Sequence, residues 1–273
     1  MKNSKKLLSS VILGVGAFVL AACGNATAGD EDQTVTLGVV GEDQDVWDFV
    51  AEKLEKDGIT LELVKFTDYT QPNTALDEGE IDLNSFQHQI FLDSYNEDSG
   101  TDLTAIGNTV IAPLGIYSQN VTSIEEIKEG DLVAIPNDIT NGGRALLLLQ
   151  TAGLITVDPA AESTPTVNDI TDNPLNLEIQ ELDAAQTARS LPDVAVSIIN
   201  SGMAVDAGFV PVEDAIFLEP VDEKSEPYIN IIVARAEDTE NELYQKVVEA
   251  YQADDTKEII AESSKGSSVP AWE

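Results

Sequence analysis

The sequence predicts an α/β protein made of two lobes with a cleft between them. Three observations lead there. Runs rich in β-branched residues alternate with segments whose apolar residues recur at helical spacing, the pattern of strand–helix–strand units. Two successive blocks of such units occupy 34–118 and 132–218. A long polar connection, 217–227, then separates the second block from a last strand, 228–235, and two helices, which are expected to return to the first block.

The chain has 273 residues, 42% of them hydrophobic, enough to build a real core. Its formal net charge of −36 excludes nucleic acid and anionic lipid surfaces as partners. Lys2, Lys5 and Lys6 precede an apolar stretch, 7–22, that falls short of the ~20 residues a membrane-spanning helix needs. The stretch ends in Leu20-Ala21-Ala22-Cys23, which resembles the lipobox of bacterial lipoproteins. That resemblance implies that 1–22 is a signal peptide and that Cys23 is lipidated after cleavage, with 23–33 as a small, polar tether. The plainer alternative is a secreted protein with an incidental thiol. Cys23 is the only cysteine, so no intrachain disulfide can form.

The first block opens with a β-rich run, 34–40. A helix follows with Val46, Val50 and Leu54 on one face and Trp47 at its flank, ended by Gly58, and then a strand, 60–66. Such a unit requires parallel strands and a right-handed crossover. The loop 41–45 is acidic but lacks the ligand spacing of a calcium loop. The stretch 66–92, FTDYTQPNTALDEGEIDLNSFQHQIFL, organises the lobe: strand, turn, a helix opened by Pro72 and stopped by Gly79, a short strand with Ile81 and Leu83, and a second helix. Tyr69, Phe86 and His88 fall at its loop ends, and His88 is the only histidine. Ligands of open α/β sheets sit beyond the carboxyl ends of strands, so this stretch is expected to form one wall of a small-molecule site.

Strand-like runs follow at 103–106 and 110–118, then a short helix with a capping-box pattern at Ser123 and Glu126. The second block centres on a buried strand, 132–135, running through Pro136-Asn137-Asp138-Ile139-Thr140-Asn141-Gly142-Gly143-Arg144 into an apolar helix, 145–152, closed by Gly153. Thr140 or Asn141 is expected to cap that helix, its glycines to let a ligand approach the backbone, and Arg144 to clamp a carboxylate at the helix start. The bland reading is a helix start with an exposed arginine. The phosphate-binding pattern G-x-x-x-x-G-K-[ST] is absent. The stretch 157–173 reads as a surface excursion, 175–179 as a strand, 184–191 as a helix, and 193–199 as a buried strand leading into a helix at 203–207. Asn200 lies at that strand's carboxyl end, as a helix cap or as a ligand contact. Asn230 interrupts the apolar strand 228–235 and needs a polar partner. Helices are expected at 240–251 and 256–262.

The blocks FTDY-x-x-PN-x-AL-x-x-GEID-x-N-x-FQH, IAPLGIYS, AIPND-x-TN-x-GRAL-x-LL-x-x-AGLI and DV-x-x-x-x-IN resemble the methionine-binding lipoproteins of ABC importers, the lipoprotein-28-like family, over 35–272. The resemblance implies a type II periplasmic-binding fold whose lobes, 34–115 with 228–273 and 116–227, close on a ligand like a hinged clamp. It carries ligand contact onto Tyr69, Phe86, His88, Asn141, Arg144, Asn200 and Asn230. Arg144 is expected to hold an amino acid's carboxylate, Asn200 and Asn230 to fix polar groups around its α-carbon, and Tyr69, Phe86 and His88 to wall a slot for a thioether. The implied protein is a monomer without cofactor or metal, anchored outside the cytoplasm through Cys23 and delivering methionine to a permease and its ATPase. D-methionine or a methionine-containing dipeptide is the alternative ligand.

Two departures bear on that choice. Family members often carry Gly-Ala/Thr-Pro-x-Pro-His where this chain has Gly41-Glu42-Asp43-Gln44-Asp45-Val46-Trp47, and Asn200-Ser201-Gly202 replaces a commoner Asn-Gly. A hydrolase built on Asp68, Asp82 and His88 lacks a nucleophile elbow or metal-ligand set. A surface interaction protein would not need the intact set of site residues.

Overall fold

The computed structural model describes residues 33–42 and 44–272, so the signal segment, Cys23 and the tether expected before Gln33 lie outside the described residues. In chain order the first block comprises β1 (Gln33–Val40), α1 (Asp45–Lys56), β2 (Ile59–Phe66), α2 (Pro72–Asp77), β3 (Leu83–Asn84), α3 (Gln89–Ser99) and β4 (Thr104–Ile111). The second comprises β5 (Gly115–Tyr117), β6 (Leu132–Pro136), α4 (Ile139–Thr151), β7 (Thr156–Val157), β8 (Ile170–Asp172), β9 (Glu178–Leu182), α5 (Ala184–Thr187), β10 (Val196–Ile199), α6 (Ser201–Asp206), α7 (Pro211–Asp214) and β11 (Phe217–Leu218). The chain ends with β12 (Ile229–Ala234), α8 (Glu242–Tyr251), α9 (Asp254–Ser263) and β13 (Val269–Pro270).

These strands form two principal sheets. One has the order β13-β4-β12-β3-β1-β2 and the other β11-β5-β10-β6-β9. β1 and β2 pair in parallel from Gln33↔Ile59 to Val40↔Phe66, as their helical crossover demands. β12 takes a central place, antiparallel to both β3 and β4. Its residues Ile231, Ile232, Val233 and Ala234 are all buried, and only a strand covered on both faces can hide such a run. The chain passes between the sheets twice, at 112–114 and at 219–228.

Each sheet is covered on both faces. One face of the first sheet packs Val35, Leu37, Val39 and Leu83 against α1, α8 and α9, while the other packs Ile81, Ile231 and Val233 near α2 and α3. The buried stripe of α1 is Trp47, Val50 and Leu54, with Val46 only half-buried, because the Trp47 indole reaches Tyr251 of α8 at 4.6 Å. The second sheet buries Val133, Ile135, Val196 and Ile198 against Ala145, Leu146, Leu148 and Leu149 of α4.

Several element boundaries differ from the sequence reading. α4 starts at Ile139 rather than at 145, because Asp138 caps it: its carboxylate accepts the Asn141 N–H at 2.8 Å. The strand expected at 175–179 is β9, shifted to 178–182, because Leu177 enters the core from a turn in which Asn176 adopts φ +48°. The excursion 157–173 carries a small antiparallel ribbon of β7 and β8. The helix expected over 184–191 is only four residues of α-helix, continued as a tighter turn at 188–190. At 122–126 the Glu126 carboxylate accepts the Thr122 N–H at 2.9 Å, and Ser123 makes no side-chain cap.

Candidate functional site

A cavity of about 250 Å³ lies where the carboxyl ends of β1, β3, β6 and β10 converge. All seven side chains singled out in the sequence line it: Tyr69, Phe86, His88, Asn141, Arg144, Asn200 and Asn230.

The first sheet contributes an aromatic wall. Phe86 and His88 follow β3, and Phe91 stands on the first turn of α3. Phe86 lies 5.9 Å from Tyr69 and 5.7 Å, edge-on, from Phe91. Tyr228 meets the His88 ring edge-on at 5.4 Å. Such tilted and edge-to-face pairs match the aromatic quadrupoles and hold each ring in one orientation. His88 also caps α3, its Nδ1 accepting the Phe91 N–H at 3.2 Å. That bond fixes the neutral tautomer with the proton on Nε2. Burial first, and the Arg144 charge second, push its pKa down to about 3, so the ring is uncharged in neutral solution. Burial and the carboxylates of Asp138 and Asp206 push the Tyr69 phenol well up, keeping it protonated.

The second sheet contributes a polar wall. Asp138 accepts the Asn141 amide through both carboxylate oxygens, at 3.0 and 3.1 Å, and the Thr140 hydroxyl at 2.9 Å. The Asn141 carbonyl therefore turns into the cavity. There it accepts the Asn200 amide at 2.7 Å and faces His88 Nε2 at 3.4 Å. Asn200 precedes α6 but makes no side-chain cap, so the cap reading for it falls and its side chain serves the cleft. Its Oδ1 is buried and has no hydrogen-bond partner among the described residues. Buried acceptors are almost always paired, so this oxygen marks the place for a donor.

Arg144 lines the cavity, but its guanidinium is already engaged. Nε donates to Glu219 Oε1 at 2.9 Å, and Nη2 donates to Glu219 Oε2 and, at 3.1 Å, to the Ala112 carbonyl. Glu219 Oε2 in turn accepts the Leu114 N–H at 3.0 Å. Arg144 thus ties together the two segments that pass between the sheets, and it stacks 4.3 Å over Tyr228. The exposed-arginine reading is excluded, since Arg144 is only 3% accessible.

The glycines have a role other than the expected one. A Cβ on Gly142 would lie 2.8 Å from the Pro136 carbonyl oxygen, and one on Gly143 2.8 Å from Thr164 Cα. They admit neighbouring backbone, not a ligand. The anion place at the helix start is filled by Asp138 itself. Asn230 bridges to His88 through the backbone, and its side chain lines the cavity.

Contacts between the two halves frame the cavity. Tyr69 and Val40 pack on the cluster of Ile199 and Met203, and the Glu42 N–H donates to Asp206 Oδ1 at 3.0 Å. Gly41, at φ +96°, lies so close to Asp206 that a Cβ would strike its carboxylate. Sequence reasoning missed Phe91, Asp138, Asp206, Glu219 and Tyr228. Asp138 carried a local signal, being three residues before Asn141 at cap spacing; Glu219 carried none, because only folding brings it to Arg144. No helix among the described residues is long and apolar enough to cross a membrane.

Residues 35–272 match the family model for NlpA lipoprotein. The D-methionine-binding lipoprotein MetQ of Escherichia coli strain K12 is 41% identical over 272 residues, 98% of each chain. A nutrient-binding protein from Burkholderia cenocepacia solved bound to methionine superposes with TM-score 0.83 at 42% identity, covering 87% of this chain and all of that one. The substrate-binding protein of a methionine transporter from Streptococcus pneumoniae gives TM-score 0.83 at 42% identity, covering 88% of this chain and 96% of that one.

Proposed function

The chain belongs to the NlpA lipoprotein family, and from that premise we propose that it captures methionine outside the cytoplasm and hands it to an ABC importer. It is a substrate-binding protein and not an enzyme; the permease and ATPase that complete transport are its partners. The fold is that of the periplasmic binding proteins, and the two segments at 112–114 and 219–228 serve as its hinge. The lobes divide within those two segments, close to the 34–115 with 228–273 and 116–227 expected from the sequence, with Gly115 on the side of the second sheet. The protein works as a monomer held to the membrane by a lipid on Cys23.

The observation that carries the ligand reading is the unpartnered Asn200 Oδ1, set in a cavity with Arg144 on one side and aromatic rings on the other. A free amino acid supplies the missing donor through its ammonium group. Arg144 Nε and Nη2 bind Glu219, which leaves Nη1 as the guanidinium nitrogen to meet the amino acid's carboxylate. Methionine's thioether suits the edges of Phe86 and Tyr69, and it is soft enough to fill an irregular slot. The cavity, about 250 Å³, lies below the ~300–1,000 Å³ of sites for larger ligands, which favours one amino acid over a dipeptide.

The test is calorimetric titration of the soluble body, from Gly24 onward, after unfolding and refolding to strip bound ligand. L-methionine, D-methionine, glycyl-methionine and L-leucine are compared. One-to-one binding of a methionine enantiomer, tighter than leucine and the dipeptide, is the expected result. Absence of heat and of thermal shift with both enantiomers would sink the reading.

A further inference from the structure

The polarity of the cleft is set chiefly at one end, by the hydrogen bonds of a carboxylate. An amide side chain presents a donor at one end and an acceptor at the other, so a row of amides is ambiguous until something at its end permits only one orientation. Here that end is Asp138. Every group facing its carboxylate is a donor: the Asn141 N–H, the Asn141 amide and the Thr140 hydroxyl. A reversed Asn141 would set its carbonyl against the carboxylate at about 3 Å, with two acceptors and no proton between them. Asn141 Oδ1 therefore points into the cavity. Asn200 must then turn its amide nitrogen to that oxygen, 2.7 Å away, which leaves Asn200 Oδ1 facing the cavity with no partner. His88 agrees with the same sense, since its Nε2 is the protonated nitrogen that faces Asn141 Oδ1.

We propose that Asp138 is a positioning residue for ligand recognition: by orienting Asn141, it keeps the Asn200 carbonyl oxygen available as the acceptor for the free amino group of the bound amino acid. Its capping of α4 is a separate task that an asparagine or serine also performs. The polarity task needs an acceptor-only group, which neither supplies, because each carries a proton that can turn toward Asn141. With Asp138 replaced, both amides can reverse, and a donor then faces the ligand's ammonium. The consequence is specificity for a free amine, exerted by a residue that the ligand does not touch.

This inference rests on the methionine reading above, and the experiment separates the two. Methionine and its desamino analogue, 4-(methylthio)butanoate, are titrated into the wild type, Asp138→Asn, Asn200→Ala and the double variant, with melting curves recorded for each. In the wild type methionine binds tighter than the analogue. Asp138→Asn is expected to weaken methionine about 10–100-fold, the range for a hydrogen bond to a charged group, and to leave the analogue nearly unchanged. Adding Asp138→Asn to Asn200→Ala should cost methionine little more, because both act through one oxygen. If Asp138→Asn melts too low to titrate, Asp138→Ser carries the same comparison. Equal weakening of both ligands, or losses that multiply in the double variant, would reduce Asp138 to a helix cap and overturn the inference while leaving the methionine reading standing. Failure of the wild type to bind methionine would overturn that reading, and this inference with it.

Discussion

The two walls of the cleft are built on different physics. The aromatic wall, Tyr69, Phe86 and Phe91, is held by ring contacts between 5.7 and 6.2 Å, each of them short-ranged and tolerant of small shifts. The polar wall, from Asp138 through Asn141 to Asn200 and from Arg144 to Glu219, is a set of directional bonds in which each partner fixes the next. The aromatic side supplies area, and damage to it should be graded. The polar side supplies direction, and removing one member strands another in a buried place.

The largest expected effect tests that contrast at Arg144. Arg144→Ala should abolish measurable methionine binding and also lower stability by about 3–5 kcal/mol, because it leaves the largely buried Glu219 carboxylate without its partner. A sequence reading of Arg144 as a cleft-facing clamp predicts loss of affinity with the fold intact. Chemical denaturation of the unliganded variant decides: an unchanged midpoint would mean that the Arg144–Glu219 pair contributes nothing to holding the crossing segments.

Next is the seat of the polar wall. Gly143→Ala gains about 1 kcal/mol of helix propensity but forces a methyl against Thr164 Cα and the Ser163 carbonyl, both backbone atoms that cannot swing aside. A net loss of about 1–3 kcal/mol is expected, with affinity falling as α4 shifts. A variant as stable as the wild type would show that the loop at 163–164 moves freely.

His88 joins the walls and gives a pH signature. Its folded pKa, about 3, lies below the unfolded value near 6.5, so the unfolded chain binds the extra proton between them. Stability from this group is therefore complete above pH 6.5 and is lost as pH falls toward 3, by about 1.4 kcal/mol per unit. Between pH 6.5 and 5 the wild type should lose about 2 kcal/mol more than His88→Gln. Parallel stability curves for the two proteins would rule out a buried neutral imidazole. Methionine affinity of the wild type should be flat from pH 6.5 to 8.5.

The smallest effect belongs to the aromatic side. Phe86→Leu keeps an apolar surface but loses the ring contacts to Tyr69 and Phe91, and should cost about 1 kcal/mol, or roughly fivefold in methionine affinity. Abolition of binding by so mild a change would erase the distinction between the walls.

How much of this was legible in the sequence depends on the range of the interaction concerned. The helix α1, the Pro72–Gly79 helix limits, the parallel β1–β2 pair and the apolar strand β12 follow from periodicity and turn chemistry, and the structure has them, with Trp47 taking the place of Val46 in the buried stripe of α1. Tyr69, Phe86, His88, Asn141, Arg144, Asn200 and Asn230 stood at strand ends, where a doubly covered sheet must expose its loops, and they do line one cavity. The start of α4 was misplaced because Asp138, Thr140 and Asn141 all qualify as caps, and local chemistry alone does not rank them.

What only the tertiary structure decided is what those side chains do to one another. Glu219 is 75 residues from Arg144, and Asn200 is 59 from Asn141. Nothing local announces either pair, because the partners meet only after the two sheets have formed and the chain has passed between them. The sequence determined which groups face the cleft, since strand ends and helix starts are set by neighbours along the chain. Asp138 orients Asn141 within one helical turn, but that sense reaches Asn200 only through the fold, since a hydrogen bond has a sense only when both of its ends are in place.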